Sequence, residues 1–141
     1  LLKRKRILGL DVGKKRTGLA QSDPMLTIAS PIGAYGTPEI FEKIEKIASE
    51  SDILKIVVGW PVHLSGQAGE SVHMVKSFMG ELIKRFPTIE TVTLDERFTS
   101  SMAQQAIIDS GAGKKKRQQK GLVDAVAAAI ILQNYLDKYA F

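Results

Sequence analysis

Two stretches of this chain are apolar at consecutive positions rather than at alternate ones: "ILGLDV" at 7–12 and "DILKIVVGW" at 52–60. Successive side chains of a strand point to opposite faces, so a strand apolar at nearly every position is buried on both. Around these two, "TGLAQSD" and "TIASPIGAY" read as strands joined by a turn at Asp23-Pro24, and "ETVTLDERF" reads as a fifth strand. Thr37-Pro38-Glu39 opens a helix, with Pro38 at the first helical position and Ile40, Ile44, Ile47 and Ala48 on one face. A loop containing Gly66 and Gly69 leads into a second helix with the stripe Val72, Val75, Met79, Leu82, Ile83 and Phe86. Ser101 to Gln104 spaces like a capping box for a helix ending at Gly111, and Gly121 to Tyr139 forms the last helix. The order is three strands, then helix, strand, helix, strand, helix, helix. That order is α/β: a mixed sheet whose first three strands make a meander and whose later strands enter by helical crossovers.

With 141 residues, 44% hydrophobic and 25% charged, the chain is expected to be one domain, 1–141, with an ordinary core. No apolar run approaches the roughly 18–20 residues that span a bilayer. There are no cysteines, which removes disulfides and thiolate metal sites and fits a cytoplasmic location. The net charge is +5, and the runs Lys3-Arg4-Lys5-Arg6 and Lys114-Lys115-Lys116-Arg117 with Lys120 hold nine of the twenty basic residues. Such clusters suit phosphate backbones, although a solvated surface and a loop would look the same.

Carboxylates stand at three places at the ends or in the interior of buried elements. Asp124 lies inside "GLVDAVAAAI", a helix apolar almost all round, where a carboxylate gives up hydration worth, roughly, several kcal/mol unless a cation or donors replace it. Asp11 ends a buried strand just before Gly13, Lys14, Lys15, Arg16 and Gly18. Those glycines permit a tight turn and the close approach of another backbone or of a phosphate. Asp95 and Glu96 close the fifth strand; alternation sends one of them toward the face where Asp11 emerges and the other away, and spacing does not choose. Hard cations such as Mg²⁺ or Mn²⁺ take oxygen ligands of this kind. A pair of them could activate water for phosphodiester hydrolysis. His63 and His73 have no partner at metal-ligand spacing and read as surface residues. Ser65, Ser71, Ser100 and Ser101 show no activating base.

With these residues in view, the chain resembles the YqgF/RuvX family of Holliday-junction resolvases and pre-16S rRNA nucleases. "ILGLDVGKKRTGLAQSD" is similar to its G-x-D-x-G-x-x-R-x-G opening, and "IVVGWPVHLSGQAGES" to its V-G-x-P…G segment. "LDERFTSSMAQQAI" and "KGLVDAVAAAIILQNYLD" are similar to its D-E-R and closing D-x-x-A-A helix motifs. The resemblance implies an RNase H-like five-stranded mixed sheet, an antiparallel three-strand meander plus two parallel strands, with helices on both faces. It implies two Mg²⁺ or Mn²⁺ ions on Asp11, Glu96 and Asp124, with Asp95 auxiliary. Arg16 and Arg97, and the lysines and arginine at Lys14, Lys15, Lys114, Lys115, Lys116, Arg117 and Lys120, would meet structured RNA or branched DNA. Processing of the 5′ end of pre-16S rRNA is the first expectation and junction cleavage the second; the latter favours a C2 dimer. The strand ending "VVGWP" carries no acid where the wider class often has one, so Glu96 would have to compensate. Two other readings weigh less. A nucleic-acid-binding module without catalysis gives no reason for Asp124, and an actin-like ATP-binding domain ordinarily needs two lobes.

Overall fold

The sheet grows outward from its two most apolar strands. In the computed structural model, which describes residues 2–61, 69–95 and 120–139, β1 (Arg4–Val12) lies at the centre between β2 (Thr17–Ser22) and β4 (Ser51–Trp60). β3 (Ala29–Tyr35) and β5 (Glu90–Asp95) flank these, giving the order β3-β2-β1-β4-β5. β1, β2 and β3 pair antiparallel, and β4 pairs parallel with both β1 and β5. This is the mixed sheet that the element order predicts. Parallel entry requires a crossover, supplied by α1 (Glu39–Glu50) before β4 and α2 (Gly69–Arg85) before β5.

Both faces are covered, as consecutive apolar positions demand. Leu8, Leu10 and Val12 of β1 join Ile56 and Val58 beneath Ile40, Phe41 and Ile44 of α1 and Val75 and Leu82 of α2. Ile7 and Val57 face the other way and meet Ala128, Ile131, Leu132, Tyr135 and Leu136 of α3 (Lys120–Lys138). Each fully buried Leu or Ile contributes roughly 1.5–3 kcal/mol. The alternation along β1 thus divides the core into two layers, and the odd positions belong to α3.

Three local expectations change. Pro38 is the N-cap of α1, one position ahead of the first helical residue. Gly69 opens α2 instead of preceding it. Ile83 is 49% exposed, because the buried stripe of α2 runs through Met74, Val75, Phe78, Met79 and Leu82. The β2–β3 turn closes on Asp23, whose carboxylate accepts the amides of Thr27 and Ile28 at 2.8 and 2.9 Å and the Thr27 hydroxyl at 3.1 Å. The helix expected between Ser101 and Gly111 lies outside the described residues. Among the described residues no helix is long and apolar enough to cross a membrane.

Candidate functional site

β1, β4 and β5 run parallel, so their C-terminal ends share one edge of the sheet. Asp11 stands at that edge as the next-to-last residue of β1. It pairs across the antiparallel ladder with Gly18, and directly opposed residues share a face. That face is the one α3 covers. At Gly18 a Cβ would overlap the carbonyl oxygen of Asp124, and at Gly9 it would stand 2.7 Å from Leu132 Cβ and 2.8 Å from the Ala128 carbonyl. Asp124, Ala128 and Leu132 are spaced four apart and form one line along α3. Two glycines on adjacent strands therefore seat that line directly on the backbone, and its first member lies on Gly18, the partner of Asp11 across the ladder. Of the two uses of Gly18 open from sequence, the approach of another backbone is the one realised.

Asp124 is less buried than its sequence neighbours suggest. Ala125, Ala127, Ala128 and Ala129 are buried, yet the Asp124 side chain keeps 33% of its exposure. It stands where α3 reaches the sheet edge, and Arg16 Nε donates to its Oδ2 at 3.3 Å across 108 positions of sequence. Hydration and a cation together replace the desolvation cost that the sequence raised. Arg16 reaches it from the β1–β2 turn, which closes with the Gly13 amide donating to the Arg16 carbonyl at 3.0 Å. Lys14 and Lys15 project from the same turn and are exposed, with Lys14 Nζ 3.4 Å from Glu70 Oε1.

Of the adjacent pair at 95 and 96, the described residue is Asp95. Asp95 lies opposite Trp60 in the parallel register, and Trp60 packs with the α1 and α2 layer. Val92 and Leu94 take the α3 side. Asp95 is therefore exposed at the correct edge of the sheet but on the face away from Asp11. Glu96 and Arg97, with Lys114, Lys115, Lys116 and Arg117, lie outside the described residues, as does the side chain of Lys120, the residue that opens α3. His73 is exposed on α2, as expected, and His63 falls outside the described residues. Met74, Phe78 and Met79 pack against the core, which accounts for that stripe.

Among the described residues no group of three or more His, Cys, Asp or Glu gathers to hold a metal. Asp11 and Asp124 each carry carboxylate oxygens, the ligand chemistry that would suit a hard divalent cation, and both are only partly buried, so water could complete its coordination. Sequence reading missed one polar network. Lys55, inside the apolar β4, donates to the Tyr135 hydroxyl at 3.2 Å and lies 3.2 Å from Glu90 Oε2, which together hold its ammonium above the usual lysine value. Tyr135 and Glu90 come from distant segments, so no local pattern announces the network.

Comparison with known proteins agrees with this architecture. The model of a family described as RuvX, Holliday junction resolvase, matches residues 5–138. A protein of Chlorobium phaeobacteroides named "Putative pre-16S rRNA nuclease" is 40% identical over 133 residues, covering 94% of this chain and 92% of its own length. A Flavobacterium johnsoniae protein of the same name is 38% identical over 136 residues, covering 96% and 99%. Among solved structures, Thermus thermophilus RuvC in complex with Holliday junction substrate superposes with a TM-score of 0.57 at 14% identity, covering 95% of this chain and 94% of that one. A second RuvC structure from the same organism gives 0.52. These likenesses identify the fold as RNase H-like.

Proposed function

The chain belongs to the RuvX family, and from that premise we propose that it is a metal-dependent nuclease acting on structured nucleic acid, with the 5′ end of pre-16S rRNA as its first substrate. The observation that supports the reading is that the Asp124 backbone lies directly on Gly18, the register partner of Asp11, near the C-terminal edge of the sheet, where open α/β sheets ordinarily take their ligands. Asp11 and Asp124 would hold the cation. Glu96 joins them as third ligand on the strength of its motif, with Asp95, on the opposite face, left an auxiliary role. Mg²⁺ or Mn²⁺, when bound as a pair, supplies Lewis acidity and an activated water. Arg16, standing beside Asp124, and the exposed Lys14 and Lys15 would hold the substrate's phosphates on the open side. Arg97, Lys114, Lys115, Lys116, Arg117 and Lys120 would add further cations for the substrate's phosphates, and residues 1–141 would act as one domain in the cytoplasm.

A four-way DNA junction is the second reading, favoured by the description of the matching family model. It requires a twofold dimer to cut two strands, whereas trimming of RNA does not.

The test compares wild type with Asp124→Asn on labelled precursor rRNA, single-stranded RNA and four-way junctions, in Mg²⁺, Mn²⁺ or EDTA. Wild type cuts in metal only. The variant loses at least about 100-fold, since even groups behind a metal ligand are worth roughly 10–100-fold. The Arg16–Asp124 pair is only partly buried, so its loss costs no more than about 1 kcal/mol and unfolding cannot explain a silent variant. Binding of every substrate with cleavage of none would end the catalytic reading, and the substrate preferred by wild type decides between the two functions.

A further inference from the structure

The fold has already placed a cation on Asp124. Arg16 Nε lies 3.3 Å from its Oδ2, and the two side chains keep 37% and 33% of their exposure. Charge-assisted contacts ordinarily close to about 2.7–2.9 Å, and firm Arg–carboxylate pairs use two nitrogens. This single-nitrogen contact is long and open to water, and is therefore readily exchanged. Meanwhile the Arg16 backbone is fixed, because its carbonyl closes the turn on the Gly13 amide at 3.0 Å. The guanidinium can change partners without leaving the site.

A divalent cation on the same carboxylate would sit about 2.0–2.1 Å from its oxygen, within a few ångströms of the guanidinium. Two cations that close repel each other unless an anion lies between them. A phosphate diester is that anion, and the planar guanidinium is suited to grip it. We propose that Arg16 couples metal to substrate: without nucleic acid it competes with the divalent ion for Asp124, and when a phosphate arrives it turns to that phosphate and gives up the carboxylate. Metal binding is then weak in the free protein and strengthened by substrate, and by linkage the metal tightens phosphate binding by the same factor. The inference rests on the metal reading of Asp11 and Asp124 above.

Two titrations on the full chain test it: Mn²⁺ against metal-free protein, and a fluorescent RNA stem against protein in EDTA. Arg16→Gln binds Mn²⁺ tighter by about 5-fold or more, the low end of ordinary coupling, while its affinity for the RNA falls. Arg16→Lys, which keeps the charge, holds Mn²⁺ affinity near wild type. Asp124→Asn binds no Mn²⁺, yet takes the RNA at least as tightly as wild type in EDTA, its Arg16 having been released. A residue that merely braced the turn would move both affinities down together, and that result, or an unchanged Mn²⁺ affinity in Arg16→Gln, overturns the coupling. Should Asp11→Asn and Asp124→Asn leave Mn²⁺ binding intact, or should wild type and Arg16→Gln alike bind none, the metal reading itself falls.

Discussion

Carboxylates in this chain answer to different surroundings, and Asp23 has the simplest. The amide of Ile28, then that of Thr27, and more weakly the Thr27 hydroxyl hold its carboxyl below the usual value. A group depressed in the folded state stabilises the protein fully above the ordinary carboxylate range, about pH 4, and loses that contribution as pH falls through the lowered folded value. Asp23→Asn therefore flattens the acid limb of the stability curve below about pH 4 and changes its shape little above it. Denaturant unfolding from about pH 6 down to about pH 2 reads this directly, and an acid limb identical to wild type would show that the turn does not depend on the charge. At the same scale, Asp11 and Asp124 were legible because each interrupts an apolar run, which is costly without a purpose. What the letters could not give was the extent of burial. Asp124 sits among alanines in sequence but at the sheet edge in space, where a third of its side chain stays wet. The pairing with Arg16 spans 108 positions, so sequence could offer Arg16 only as one of two candidate arginines.

At the scale of elements, register adds to alternation the side on which Asp95 stands. The two-faced apolar character of β1 and β4 was enough to predict helical cover and a sheet interior. It could not say on which face Asp95 stands, because that requires a register partner of known side, and Trp60 provides one. Helical periodicity failed in a similar way at Ile83. Neighbours on a helix are about 100° apart, so an isoleucine beside Leu82 fits the edge of a stripe whether or not the helix is rotated to bury it. The seating of α3 carries a prediction of its own. Gly18→Ala places a methyl group on the Asp124 carbonyl, so the start of the helix must lift. Stability falls by about 1–3 kcal/mol, the usual cost of overpacking, and Mn²⁺ binding weakens with it because Asp124 moves. Gly9→Ala strikes Ala128 and Leu132, one and two turns along the same line, so it lowers stability and leaves Mn²⁺ affinity closer to wild type. Equal metal affinities in the two variants would mean that the glycines serve packing alone.

At the scale of the whole molecule, the net charge of +5 is less informative than where it lies. Lys3 and Arg6 are occupied in holding the fold: Lys3 donates to the Ala48 carbonyl at 3.4 Å and Arg6 to the Ser22 carbonyl at 2.8 Å. They also stand at the N-terminal end of β1, and Arg4 to Asp11 is seven residues of strand, about 23 Å at 3.3 Å each. The second basic run, Lys114 to Lys120, leads directly into the helix that carries Asp124. A short nucleic acid bound at Asp11 and Asp124 should therefore feel the second run and not the first. Each phosphate contact contributes about 0.7 to the salt slope of single-stranded binding. Changing Lys114, Lys115, Lys116 and Arg117 together to glutamine should lower that slope by up to about 3, four contacts at roughly 0.7 each. Changing Lys3 and Lys5 to glutamine should leave the slope for a short single-stranded RNA unaltered. Fluorescence titrations in EDTA at a series of salt concentrations separate the two, and in Mg²⁺ or Mn²⁺ at saturating substrate both variants should still cut at the wild-type rate, since neither run supplies a carboxylate. Equal slopes in the two variants would place the substrate along the whole sheet instead of at one edge, and the short-substrate geometry would have to be abandoned.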